Sequence, residues 1–163
     1  MIRKVAVIMG SDSDWPVVKG ACAQLKALDI PFEAHILSAH RTPDQALDYA
    51  ATAQARGLKV LIGAAGAAAH LAGVMAAKTE LPVLAVPMPS KHLGGFDSLL
   101  AMVQMPGGIP VATFAIGEAG AVNSALFAVA MLALNDAETA KKLSAFRASQ
   151  TEKVLAKKLT DLP

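Results

Sequence analysis

The stretch Phe32-Glu33-Ala34-His35-Ile36-Leu37-Ser38-Ala39-His40-Arg41-Thr42-Pro43-Asp44-Gln45 decides how this chain folds. Phe32–Leu37 has the composition of a short strand. Thr42-Pro43-Asp44-Gln45 has the form of a capping box with proline at the first helical position, so a helix starts there and runs to Gly57 as its C-terminal cap. A strand thus passes into a helix across Ser38–Arg41, and the same alternation continues on both sides. Upstream, Lys4–Met9 is a β-branched apolar run that reads as a buried parallel strand. The polar loop Gly10–Asp14 follows it, then a helix from about Trp15 to Leu28 with Pro16 in its first turn.

Downstream, Val60–Ile62 gives a third strand, Gly63–Ala68 a loop, and a third helix ends near Glu80. Pro82–Val86 is a fourth strand closed by Pro87 and Pro89, and a long loop through Leu93-Gly94-Gly95 precedes a short helix over Asp97–Gln104. Val111–Ile116 is a fifth strand. Ala119–Leu134 is apolar nearly all round, which describes a helix buried on every side. Strands alternating with helices at this spacing make an α/β fold with a parallel sheet covered on both faces. The last segment, Ala137–Leu159, is rich in Lys and Arg and carries Leu143, Phe146, Val154 and Leu155 at roughly helical spacing. It is expected to lie across a neighbouring subunit; a solvated tail is the alternative.

The chain has 163 residues, the span of one domain, with 137–163 as a helical extension. Its 54% hydrophobic and 17% charged residues leave more apolar surface than a monomer of this size hides, so a homo-oligomer is expected. A scattered net charge of +2 gives no sign of a nucleic-acid partner. Val60–Ala77 is almost uncharged, but it is mostly Ala and Gly, contains His70 and is interrupted by Gly63 and Gly66, so it is not read as a membrane span. A lone Cys22 in a helical pattern and a start, Met1-Ile2-Arg3-Lys4, without a signal-peptide pattern lead to an expected cytoplasmic location.

The loops after the first three strands share the C-terminal end of the sheet, where open α/β folds bind ligands. Gly10-Ser11-Asp12-Ser13-Asp14 offers hydroxyls and a helix N-terminus to an anion, although simple capping by Ser13 or Asp14 is the alternative. Asp14 suits ribose hydroxyls, and Asp12 is expected to be exposed. His40 moves a proton near neutral pH, and Arg41 binds phosphate or carboxylate with paired hydrogen bonds. His35, inside the second strand, is assigned a structural role. The third loop, Gly63-Ala64-Ala65-Gly66-Ala67-Ala68-Ala69-His70, is small and apolar: either it leaves room for a substrate ring, or it packs a helix tightly on a strand. Lys91 and His92 belong to a loop that is either a lid or solvated. No Cys cluster or His-x-x-x-His pair marks a metal site, and neither G-x-G-x-x-G, a Walker loop nor G-x-S-x-G occurs.

Ser38–Pro43, preceded by Gly10-Ser11-x-Ser13-Asp14-Trp15, resembles the class I N5-carboxyaminoimidazole ribonucleotide mutases of purine biosynthesis. The likeness continues through Ala68-Ala69-His70-Leu71, Asp97-Ser98-Leu99-Leu100, Val103-Gln104-Met105-Pro106, Gly108-Ile109-Pro110-Val111 and Ala115-Ile116-Gly117. It implies a flavodoxin-like three-layer αβα sandwich with a five-stranded parallel sheet, a homo-octamer, and no metal or organic cofactor. It implies an isomerase that moves a carboxylate from an exocyclic nitrogen to ring carbon C4 of an aminoimidazole ribonucleotide. His40 would be the acid/base. Ser11, Asp14 and Arg41 would hold the ribonucleotide with Ser13, Ser38 and Ala39 beside them, and Ala65, Gly66 and Ala67, with His70 and Leu71, would face the base and carboxylate. The related class II enzymes, which use carbon dioxide directly, carry lysine after the histidine, where this chain has Arg41. The family's usual Gly-Ala-Gly-Gly-Ala-Ala-His-Leu-Pro-Gly run has alanine here at Ala64, Ala67 and Ala72, and a lost glycine that needs a positive φ would strain the loop.

Two other flavodoxin-like readings fit less well. A flavin module lacks its Thr-rich phosphate loop here, and a phospho-receiver lacks its acidic acceptor, since the third strand ends on Gly63-Ala64.

Overall fold

Val5, Val7 and Met9 turn to one side of β1 (Val5–Met9) and Ala6 and Ile8 to the other, and all five are buried. Strand periodicity of two thus feeds two separate cores. The computed structural model describes residues 4–160. After β1 come a 3₁₀ turn (Asp12–Asp14), α1 (Trp15–Ala27), β2 (Phe32–Ile36), α2 (Pro43–Thr52), β3 (Val60–Ala65) and α3 (Leu71–Ala76). β4 (Val83–Pro87), α4 (Phe96–Val103), β5 (Ala112–Thr113), α5 (Glu118–Ala133) and α6 (Ala137–Leu155) complete it. The strands are all parallel, in the order β2-β1-β3-β4-β5. This is the flavodoxin-like order. α1 and α5 cover one face through Val18, Leu25, Ala125 and Val129; α2, α3 and Met102 of α4 cover the other. The chain leaves β1 toward one edge and β3 toward the other, so a crevice opens where their C-terminal loops part.

Several boundaries differ from expectation. β3 runs on to Ala65, so Gly63 and Ala64 belong to the strand and not to a loop. A Cβ at Gly63 would lie 2.6 Å from Met75 Cε and 3.2 Å from Ala72 Cβ, so this small residue serves the close packing of α3 on the sheet. Ala64 faces the α1/α5 core. α3 stops at Ala76 rather than near Glu80: the Lys78 amide donates to the Met75 carbonyl at 2.9 Å in a tightened closing turn, and the Leu81 amide donates to Thr79 Oγ1 at 3.2 Å.

Regular α2 ends at Thr52, but Gly57 (φ 91°) does cap the element. The Gly57 amide donates to the Gln54 carbonyl and the Leu58 amide to that of Ala53, the two bonds of a Schellman motif. The capping box at Thr42 does not form. Its hydroxyl instead turns back, accepting from the Ser38 amide at 2.8 Å and donating to the Ser38 carbonyl at 3.1 Å.

β5 is only Ala112–Thr113 instead of Val111–Ile116, because Pro87 at the end of β4 has no N–H to donate to a longer ladder. The chain still runs beside β4, with the Gly117 amide donating to the Pro87 carbonyl at 2.9 Å. α4 starts one residue early, at Phe96. α5 is not enclosed within one chain: Gly120, Ala121, Ser124 and Ala125 are buried, while Asn123 and Phe127 are exposed. In α6, Leu143 and Phe146 pack on the α1/α5 core of their own chain, and Lys142 pairs with Asp29 at 3.1 Å. Beyond them Val154, Leu155 and Leu159 stay exposed. No helix among the described residues is long and apolar enough to cross a membrane.

Candidate active site

A cleft of about 450 Å³ occupies the crevice at the ends of β1 and β3. Four chain segments form it, and each is fixed by its own short-range hydrogen bonds.

The first is Gly10–Asp14. The Ser11 hydroxyl accepts from the Ser13 amide at 3.3 Å, and Asp14 Oδ2 accepts from the Ser11 amide at 3.1 Å. The capping box expected at Thr42 is therefore found here, closing the 3₁₀ turn that enters α1. Ser11 and Ser13 hydroxyls lie 2.8 Å apart at the cleft. Burial raises the Asp14 carboxyl above its ordinary range and Asp12 adds to this, against the Ser11 amide and Arg41. Asp12 is exposed, as expected, and does not line the cleft.

The second is Ser38–Thr42. Ser38 Oγ accepts from the Arg41 amide at 3.1 Å and the His40 amide at 3.4 Å, and Thr42 closes the turn from the other side. The turn hangs from the sheet through the Leu37 amide, which donates to the Met9 carbonyl. Ser38, Ala39, His40 and Arg41 all line the cleft, and Ala39 also packs against the α2/α3 core, which anchors the turn. Arg41 Nη2 reaches across to the Gly10 carbonyl, a long bond at 3.4 Å that leaves most of the guanidinium's donors for a ligand.

The third is Ala65–Leu71. Ala65, Gly66, Ala67, His70 and Leu71 all line the cleft, and Ala64 does not. Gly66 sits against the fourth segment, where a Cβ would lie 3.3 Å from Met88 Cβ. Ala67 has a left-handed backbone (φ 54°), the strain that a lost glycine was expected to bring; Ala64 and Ala72 show none. Its amide donates to the hydroxyl of Ser98, which is fully buried, at 2.9 Å. His70 ends this segment with Nδ1 2.9 Å from His40 Nε2, the two rings meeting edge to face at 87°. His70 thus touches His40 as well as lining the cleft.

In the fourth segment, Met88–Asp97, Lys91 and His92 line the cleft while staying exposed. Ser90 Oγ donates to Asp97 Oδ1 at 2.6 Å and accepts from the Gly95 amide at 2.9 Å. The Ser90 bond holds the Asp97 carboxyl below the usual carboxylate range. Ser90, Asp97 and Ser98 were not singled out as site residues; the signal was Asp-Ser opening a helix just after Gly94-Gly95. His35 lies elsewhere, on the edge strand, 3.5 Å from Glu33 Oε1 and against the ring of Tyr49. Among the described residues, no group of three His, Cys, Asp or Glu side chains is arranged to hold a metal.

The cleft therefore combines hydroxyls, a guanidinium and a helix entrance suited to a phosphate, a pair of imidazoles suited to proton transfer, and a wall of small residues suited to a flat ring. The AIR carboxylase family profile matches residues 4–153. The N5-carboxyaminoimidazole ribonucleotide mutase of Bacillus subtilis (strain 168) is 54% identical over 151 residues, covering 93% of each chain. That of Brucella melitensis biotype 1 is 57% identical over 150 residues, covering 92% of this chain and 93% of the other. The crystal structure of Treponema denticola PurE superposes with a TM-score of 0.85 at 27% identity, covering 94% of each chain.

Proposed function

The chain belongs to the AIR carboxylase family, and from that premise we infer that it is an N5-carboxyaminoimidazole ribonucleotide mutase, an isomerase of purine biosynthesis. It moves the carboxylate of its substrate from the exocyclic nitrogen to ring carbon C4. The observation that carries this reading is the meeting of the His40 imidazole, the Arg41 guanidinium and the Ser11–Asp14 loop around one cleft.

In this mechanism Arg41, Ser11, Ser13 and Ser38 hold the phosphorylated end, and Asp14 accepts from ribose hydroxyls. The base lies along Ala65, Gly66 and Ala67, with Leu71 beneath it. His40 gives a proton to the carbamate nitrogen, the C–N bond breaks, and carbon dioxide and the aminoimidazole are left in the cleft. C4 then attacks the carbon dioxide carbon, and His40 takes the proton that C4 releases. One imidazole returns to its starting state, so no cofactor is consumed. General acid–base help of this kind is worth about 10²–10⁴-fold. The small apolar wall keeps the carbon dioxide unhydrated between the two steps.

The enzyme works in the cytoplasm as a homo-octamer. An exposed apolar row on α4 (Phe96, Leu100 and Val103, at i, i+4 and i+7) and exposed Phe127 on α5 support assembly, and the distal half of α6 supplies a further surface for a neighbour. Sedimentation equilibrium tests the assembly, and a monomer would overturn it.

The deciding experiment is an ultraviolet assay of the purified protein with the carbamate substrate. Conversion to the C4-carboxylate is expected. Carboxylation of aminoimidazole ribonucleotide by dissolved carbon dioxide, with the carbamate left untouched, would transfer the chain to the class II chemistry. Labelled carbon dioxide in the medium is expected to stay out of the product during turnover; free mixing would remove the trapping step.

A further inference from the structure

Ser98 sits in the first turn of α4, fully buried, and its hydroxyl faces the cleft's third segment rather than the cleft itself. Its acceptor oxygen receives the Ala67 amide, and Ala67 is held at φ 54°, where an L side chain is disfavoured. A glycine at this position would carry no such strain; alanine must be held in place. The strain of one left-handed alanine and the net gain of one hydrogen bond are of the same order, so this hydroxyl is enough to offset the strain.

The consequence passes along a segment with little slack. The Ala69 amide donates to the Ala67 carbonyl at 2.8 Å and the His70 amide to the Ala68 carbonyl at 2.9 Å, two successive three-residue turns. They end on His70, whose Nδ1 meets His40 Nε2 at 2.9 Å. We propose that Ser98 is a positioning residue for proton transfer: it pins the left-handed turn at Ala67 that brings the His70 imidazole against His40. The kinetic part of this rests on the mutase reading; the geometric part does not.

The test compares the wild type with Ser98→Ala and with Ser98→Ala/Ala67→Gly. In Ser98→Ala, kcat is expected to fall about 10- to 100-fold, the usual result of moving a reacting group by an ångström, with KM within about twofold. The added Ala67→Gly change makes the left-handed turn available without the hydroxyl, and kcat is expected to return to within about threefold of wild type. Ser98→Cys, close in size but a weak acceptor, replaces Ser98→Ala if that variant does not fold. Imidazole ¹⁵N spectra supply a readout independent of turnover: the His70 Nδ1 resonance is expected to move in the single variant and return in the double one. A wild type that ignores the carbamate overturns the mutase reading, while the spectra still decide the geometry. Unchanged His70 resonances in Ser98→Ala, or a kcat that falls and is not restored by Ala67→Gly, overturn the role of Ser98.

Discussion

His40 Nε2 and His70 Nδ1 face each other at 2.9 Å across the cleft, from turns at the ends of β2 and β3. A bond between two ring nitrogens needs a proton on one and none on the other. In the proposed mechanism this shared proton lies where one has to be delivered and one taken back.

His40→Asn keeps a polar side chain of similar reach but cannot carry a proton through the cycle. Turnover is expected to drop by about 10²–10⁴-fold. Calorimetric titration should still find the ribonucleotide bound, since the loops proposed to hold its phosphate are intact. Near-normal kcat would mean that the transferred proton goes elsewhere.

Arg41→Ala removes the guanidinium that spans the first two segments. A charged hydrogen-bonded contact contributes about 1.5–3 kcal/mol, so substrate affinity should weaken by roughly 10- to 100-fold. The wild type's affinity should also fall with added salt more steeply than the variant's. Equal affinities for the two proteins would direct Arg41 away from the phosphate.

The loop containing these two residues was legible because its chemistry is local: a strand end, a turn and Pro43 lie within a few residues. Sheet class and most element starts were legible for the same reason, from apolar runs and prolines. What stayed hidden depends on neighbours distant along the chain. β5 is shortened by Pro87 on an adjacent strand, and that pairing becomes visible only once the strand order is known. Thr42 looked like a helix cap, but its hydroxyl serves the Ser38 turn, a competing local bond available to any threonine. Ser98 looks like an ordinary helix residue, and only the strand-to-loop crossing at Ala67 gives its oxygen a partner 31 residues away.

Ala67→Gly tests the strain at the third segment. A left-handed alanine costs about 1–2 kcal/mol, and glycine's added freedom in the unfolded chain gives back about 0.4–1 kcal/mol. The variant should gain about 0.5–1 kcal/mol in urea unfolding, seen as a higher midpoint at unchanged slope. A lower midpoint would show that the turn is comfortable as it stands.

Asp14 and Asp136 should make opposite contributions to the pH dependence of stability. Burial, with Asp12 nearby, raises the folded-state pKa of Asp14, so the folded chain binds this proton more tightly than the unfolded one does. Its stabilising share is therefore complete below the ordinary carboxylate value and is lost as pH rises through the raised one. Asp14→Asn should unfold at higher urea than wild type near about pH 7, an advantage that shrinks on acidification through about pH 4. Asp136 runs the other way. Its bond to Lys4 and those to Thr139 hold its pKa down at about 2, so its share is present above the ordinary value and fades as pH falls toward about 2. Asp136→Asn should lose stability against wild type near neutrality and close the gap in strong acid. Urea midpoints of both variants along one pH series check the two signs together, and parallel curves for the pair would contradict both assignments.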